Sequence, residues 1–285
     1  MTWLDALIQG VLLGGMYAQY ALGMALMFGV MRIVNIAHGD LVVLLALIGI
    51  SASVAFRVGP LPLVLLLVPL AAVIGWSLQK FVLNKVVAAD SLPSLIATFG
   101  VSIALQNLML EIWSADTRSM SGGGIEAASV DIGGIYIGLL PVMILIAATL
   151  LTLGLDLTMR RTRFGRALRA AAADTEAAAM SGVNPRVVYA YATAIAVGIL
   201  GLSGVFFALR ATVSPADGPA QLIYAFEAVI IGGMGSIWGG FVGSMVLGIA
   251  QAIGFRIDPG FGTLAGHLVF LTVLATRPQG LMSKG

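Results

Sequence analysis

The chain has 285 residues, 59% of them hydrophobic and only 10% charged, with a mean hydropathy of +1.03. Ordinary soluble domains carry roughly 25% charged residues, so a water-soluble fold has too little polar surface to cover this much apolar side chain. A net charge of +2 gives no hold on nucleic acid, and the absence of cysteine excludes disulfides and thiolate metal sites.

A helix needs ~20 apolar residues to cross ~30 Å of hydrocarbon. Charge-free runs of this kind extend over Ala6–Met31, Leu41–Phe56, Leu61–Gln79, Leu92–Leu110, Ile132–Leu155 and Val187–Leu209. A Gly-interrupted run from Ala228 to Phe255 reads as two short segments, and a last run covers Gly260–Thr276. The expectation is an all-α polytopic membrane helix bundle of eight or nine segments, some short or broken, forming one transmembrane domain over residues 1–285. Met1 to Asp5 hold no Lys or Arg, so the first run lacks the basic start of a cleaved signal peptide and is expected to stay as a span.

Loop charge sets the expected orientation. Between Asp156 and Arg186 the residues Arg160, Arg161, Arg163, Arg166, Arg169 and Arg186 outnumber Asp156, Asp174 and Glu176, which marks a cytoplasmic loop. The preceding loop, Ser114–Asp131, has Asp116, Glu126 and Asp131 against Arg118 and reads as outward. Counting back puts Lys80 and Lys85 inside, the Arg57–Pro60 turn outside, Arg32 inside and the N-terminus outside. Counting forward puts Arg210–Pro219 outside, and a hairpin between Tyr224 and Phe255 plus one span returns Arg277 and Lys284 to the cytoplasm. Only Arg57 and Arg256 oppose the bias.

No GxxxxGK[ST] run is present, so ATP hydrolysis is not expected of this chain. The centre of the inner loop, Ala167–Met180, is rich in helix formers yet too polar to span, and predicts a short helix on the cytoplasmic face. Within it Glu176, Ala177 and Ala178 precede Gly182. Small alanine faces fit a partner's cleft, Gly182 can end the helix, and Glu176 and Arg169 offer charge to a docking partner. A solvated amphipathic linker is the plainer reading of the same residues.

Gly-interrupted segments in both halves of a membrane chain point to a transport route, because freed backbone groups there can face cargo. Two segments qualify: NIAHGD, with Asn35, His38 and Asp40, and GGMGSIWGG, with Gly232, Gly233, Gly235 and Ser236. They are expected at ends of the fold that meet across a pore. The competing readings are helix packing for Gly235, Gly239 and Gly243, and a surface ion pair or cap for His38 and Asp40 with Arg32. Glu111 and Glu227 are expected at the interface, and Gln9, Gln19, Gln106, Asn107 and Gln251 as bridges between helices. Two rival functions remain open. Ser203 in GLSG with His267 has the composition of an intramembrane serine protease dyad, although the only other histidine is His38. The broken segments also suit an ATP-independent carrier or channel, which has no need of the Ala-rich platform.

The order Glu176-Ala177-Ala178 then Gly182 resembles the coupling loop of bacterial ATP-binding-cassette import permeases. Four stretches extend the likeness along the chain: ALGMALMFGVMRIVNIAHGDLVVL from Ala21, DTEAAAMSGVN from Asp174, FEAVIIGGMGSIWGGFVGSMVLG from Phe226, and RPQGL from Arg277. With these the sequence resembles the permeases of the branched-chain (hydrophobic) amino-acid ABC transporter family, in its shorter form. The resemblance implies a non-enzymatic subunit of a bacterial inner-membrane importer for branched-chain amino acids. It also implies partners: a second related permease, two cytoplasmic ATPases that bind the ATP and Mg, and a periplasmic solute-binding protein. No cofactor is expected on this chain. Relatives of the family carry urea, short amides or aromatic acids by the same mechanism. A domain ahead of the first span, found in some urea relatives, is not in this sequence, which favours amino acids.

Overall fold

In hydrocarbon every backbone N–H and C=O must be paired within the chain, and a charge-free run does this most simply as a helix. The computed structural model describes residues 3–87 and 91–282, so Lys284 lies outside the described residues. Eleven α-helices form among them: α1 (Trp3–Met31), α2 (His38–Phe56), α3 (Pro60–Phe81), α4 (Ser91–Trp113), α5 (Leu139–Arg161), α6 (Arg163–Ala173), α7 (Thr175–Met180), α8 (Pro185–Arg210), α9 (Gly218–Gly232), α10 (Ile237–Ile257) and α11 (Phe261–Thr276). Seven are long and apolar enough to cross a membrane, and the apolar α9 and α11 have 15 and 16 residues. The chain is thus a polytopic all-α bundle.

Two local expectations change. The start of the Ile132–Leu155 run is not helical: Ser129–Ile132 (β1) and Ile135–Gly138 (β2) pair antiparallel, Ser129 opposite Gly138, around Gly133 and Gly134 at φ +65° and +87°. Those two glycines accept a left-handed turn that closes the hairpin before α5 can begin. The Ala167–Met180 platform is two helices, not one, because Asp174 leaves helical geometry and its side chain accepts from Glu176 N at 2.9 Å and Ala177 N at 3.0 Å. A side chain that caps the next helix ends the previous one.

The bundle has two halves of like order and opposite direction. In the first, α1 is followed by an extended return, then α2, the α2–α3 hairpin and the peripheral α4. In the second, α8 is followed by a return through Ser214–Asp217, then α9, the α9–α10 hairpin and α11. α1 and α8 run antiparallel: Val30 and Met31 at the end of α1 share an apolar cluster with Val188 and Tyr189 at the start of α8, and Gly23 lies against Ala196. Each half's third helix packs along the other half's first helix, α10 on α1 and α3 on α8. Glycine sets these distances: a Cβ on Gly10 would stand 2.6 Å from Ile249 Cα, and one on Gly75 would stand 2.6 Å from Thr193 O. The GLSG glycines do the same, Gly201 against Leu67 and Gly204 against Ala46. α1 and α8 form the centre, each 83% buried over its most apolar window, whereas α4 is 17% buried and lies at the edge.

Candidate translocation route and coupling surface

The residues after Met31 turn back into the bundle. His38 Nε2 meets the Tyr20 carbonyl at 2.9 Å, and Tyr20 lies about 16 Å before the end of α1 at 1.5 Å per residue. At the other end of α2, Trp113 Nε1 donates to Ser51 Oγ at 2.7 Å, tying it to the end of α4. α2 therefore starts deep inside the bundle, and its N-terminus meets that of α9 head to head. There a Cβ on Gly39 would fall 1.9 Å from Gly218 O.

Asp40 sits in this junction. Ser102 Oγ donates to its Oδ2 at 2.5 Å and Gln106 Nε2 to its Oδ1 at 3.0 Å. Two helix N-termini supply positive potential to the same carboxylate. Asn35 Oδ1 accepts from Ala37 N at 3.1 Å, bracing the return. Asn35, His38 and Asp40 are all buried, and Asn35 Nδ2 and His38 Nδ1 have no partner. With Nε2–H given to Tyr20, His38 keeps an acceptor at Nδ1. The surface reading of His38 and Asp40 is thereby excluded, and Arg32 is exposed and makes no ion pair with Asp40. Opposite lie Ser94, Thr98 and Ser102, buried on α4 one turn apart. Their four-residue spacing within an apolar run was a readable sign of an inward polar stripe.

Gly232, Gly233, Gly235 and Ser236 do not meet Asn35–Asp40 across a pore. They form the α9–α10 turn, about 21 Å from Gly218 along α9, beside the end of α1. Gly233 and Gly235 take φ +110° and +84°, and Ser236 Oγ accepts from Gly239 N at 3.0 Å to cap α10. Gly235 rests on Gly29, while Gly239 and Gly243 pack against α9. The RPQGL stretch closes over the turn: Leu281 N donates to Ile231 O at 2.8 Å and Met282 N to Gly232 O at 2.9 Å.

On the exposed side of α6 and α7, Glu176, Ala177 and Arg169 are accessible, while Ala178 is buried as an anchor. Arg169 donates to the Met159 carbonyl, fastening α6 to the end of α5. Gly182 at φ +82° ends α7: its N–H reaches Ala179 O at 3.0 Å and Val183 N reaches Ala178 O at 3.0 Å. This is the left-handed helix stop that glycine permits.

Other placements differ from expectation. Glu227 is buried rather than interfacial, because α11 covers it and His267 Nδ1 pairs with its Oε1. Ser203 and His267 form no dyad: Ser203 Oγ donates to Ile199 O at 2.9 Å within α8. Gln19 donates to Ile144 O at 3.1 Å, Tyr17 Oη donates to Gln251 Oε1 at 2.6 Å, and Gln9 donates to Tyr136 O at 2.9 Å, so these bridge elements as expected. Asn107 instead is exposed and satisfies its own helix at Ile103 O. Glu111 is exposed at the end of α4.

Residues 6–274, covering both halves and the α6–α7 surface, match the family model described as branched-chain amino acid transport system / permease component. The chain belongs to this family. It is 28% identical to the high-affinity branched-chain amino acid transport system permease protein BraD of Pseudomonas aeruginosa, over 99% of this chain and 96% of that protein. It is also 28% identical to the corresponding permease protein LivH of Escherichia coli K12, over 100% and 96%. Among solved structures, PsaBC from Streptococcus pneumoniae in complex with Fab superposes with a TM-score of 0.51 at 14% identity, covering 98% of this chain and 93% of that one, a likeness of fold. Members of this permease family are membrane subunits of transporters, and this one is a multi-pass membrane protein.

Proposed function

We propose that this chain is the membrane-spanning permease subunit of an ATP-binding-cassette importer in the bacterial inner membrane, moving branched-chain or other hydrophobic amino acids delivered by a periplasmic binding protein. The family match through both halves and the surface between them carries this reading. Its partners are a second related permease, two cytoplasmic ATPases that hold ATP and Mg, and the binding protein; this chain holds no cofactor and acts as one permease domain. The basic end of the bundle, with Arg160, Arg161, Arg163, Arg166 and Arg169, faces the cytoplasm, leaving the N-terminus outside and the C-terminus inside.

In this reading the ATPases dock on α6 and α7 through Glu176, Ala177, Ala178 and Gly182, and Arg169 couples that platform to the end of α5. Closure of the ATPase pair shifts that platform, which α6 passes to the ends of α5 and α1. The head-to-head junction then opens beside Asn35, His38 and Asp40, and the Gly232, Gly233, Gly235 and Ser236 turn forms the inner end of the route. Tightly bonded groups around Asp40 make the closed arrangement, and the unpartnered polar atoms of Asn35 and His38 are available to a zwitterion.

Uptake of labelled leucine by the reconstituted full complex tests this, with the cognate binding protein titrated against leucine, isoleucine, valine, urea and aromatic acids. Leucine uptake that depends on ATP and is abolished by Glu176→Lys in an assembled complex supports the assignment. ATP-independent uptake would transfer it to a carrier, and urea-only binding would change the cargo. Wild-type uptake by His38→Ala would remove His38 from the route.

A further inference from the structure

α5 and α10 both press on α1 near its middle. A Cβ on Gly15 would meet Leu145 Cα at 2.9 Å, and one on Gly14 would meet Met245 Cα at 2.8 Å. Toward the end of α1 the two helices part and leave a cleft of about 550 Å³, with α6 across its mouth. The floor is apolar, made by Ala25, Leu26 and Val30 of α1. The rim carries Arg160, Arg169 and Trp238, beside Gly235 and Ser236 of the α9–α10 turn, so the cleft borders the inner end of the proposed route.

The rim is positive on balance. Asp156 is its one carboxylate, and it accepts from Arg160 Nε at 2.8 Å while the Arg160 side chain stays 68% exposed. Arg169 gives a guanidinium N–H to the Met159 carbonyl and is otherwise exposed. Two guanidinium groups against one carboxylate leave donors for an anion with several oxygens. Trp238, an aromatic with a polar N–H, suits headgroup depth.

We propose that this cleft holds an anionic phospholipid, its phosphate between Arg160 and Arg169 and an acyl chain along Ala25, Leu26 and Val30. An apolar floor made by residues of the membrane-spanning α1 favours a lipid over free phosphate, which would have no use for it. The choice of the inner leaflet rests on the orientation proposed above. The lipid would wedge α5 and α6 against α10, so its presence would stiffen the platform on which partner subunits dock.

The test uses the assembled transporter in nanodiscs of phosphatidylcholine with increasing phosphatidylglycerol, with retained lipid read by native mass spectrometry. The expected result is phosphatidylglycerol held by the wild type and lost about tenfold in Arg160→Gln/Arg169→Gln. Arg161→Gln/Arg163→Gln removes the same charge outside the cleft and should retain it. Equal loss in both doubles, or displacement of the lipid by inorganic phosphate, would overturn the site. Retention only when the ATPases are stripped away would do so too, by giving the cleft to a protein partner. Should the cleft variant fail to assemble, quenching of Trp238 by brominated phosphatidylglycerol, taken as wild type minus Trp238→Phe, decides, and no difference overturns the proposal. Orientation is read separately by thiol labelling of Met180→Cys, at a position 85% exposed in a chain without native cysteine.

Discussion

Gly39 and Gly218 touch backbone to backbone where two helices begin in the interior, and neither has room for a methyl group. A Cβ on Gly39 would sit 1.9 Å from Gly218 O, and one on Gly218 would sit 1.9 Å from Asp40 Oδ1. Backbone cannot step aside as a flexible side chain can. Gly39→Ala is expected to destabilise the complex by about 1–3 kcal/mol, the range for overpacking. Thermal unfolding of the purified transporter measures it, with Gly154→Ala in α5, where a Cβ meets nothing within 4 Å, as the uncrowded comparison.

Asp40 is the main polar tie of α4 to the interior, so its loss should be felt on α4. Asp40→Ala leaves the buried Ser102 hydroxyl without its acceptor and the half-buried Gln106 with only Ser102 Oγ at 3.2 Å, and should cost about 1–3 kcal/mol. Asp40→Asn keeps an acceptor and should cost less. A double-mutant cycle of Asp40→Ala with Gln106→Leu, each of which removes the Gln106–Asp40 contact, should show a coupling above about 0.5 kcal/mol. Additive effects would mean the contact is not formed.

The break at Asp174 predicts a split between stability and coupling. Asp174→Ala removes the cap of α7 and should cost about 1 kcal/mol locally. ATPase stimulation by the loaded binding protein should fall while assembly persists. Unchanged stimulation would separate α7 order from coupling.

Glu126 gives the pH dependence of the loop between α4 and α5. Its carboxyl is held below the ordinary value near 4.5 by N–H groups, first its own and then those of Gly122 and Gly124, with Ser121 Oγ adding a bond at 3.3 Å. A lowered folded value means the loop's stabilisation is present above the ordinary value and fades as pH falls through the lower one. Hydrogen exchange of residues 121–126 should be steady between pH 7 and pH 5 once corrected for intrinsic rate, then rise in more acid solution. Glu126→Gln should flatten that change.

Most spans were legible because hydrocarbon imposes one rule on every residue: the Leu61–Gln79 and Val187–Leu209 runs fall within α3 and α8. The depth of α2 was not legible. Asn35–Asp40 reads equally well as a surface turn, and only the contacts of His38 with α1 and Asp40 with α4 reveal that it is folded inward. Glu227 was misplaced for a similar reason, since its partner His267 is remote in sequence and no spacing announces the pair. Asp174 is the opposite case: Asp followed by Thr175, Glu176 and Ala177 is an N-cap signature inside what looked like one continuous helix.

The bonds from Leu281 and Met282 to the end of α9 bear on biogenesis. Ile231 O and Gly232 O receive their donors from residues made after α10 and α11 are complete. Synthesis runs from the N-terminus, so the turn between α9 and α10 stays unfinished until the tail is free to fold back. A fusion joined closely after Met282 would compete with that step, so maturation of the second half should be more sensitive to C-terminal tags than to N-terminal ones.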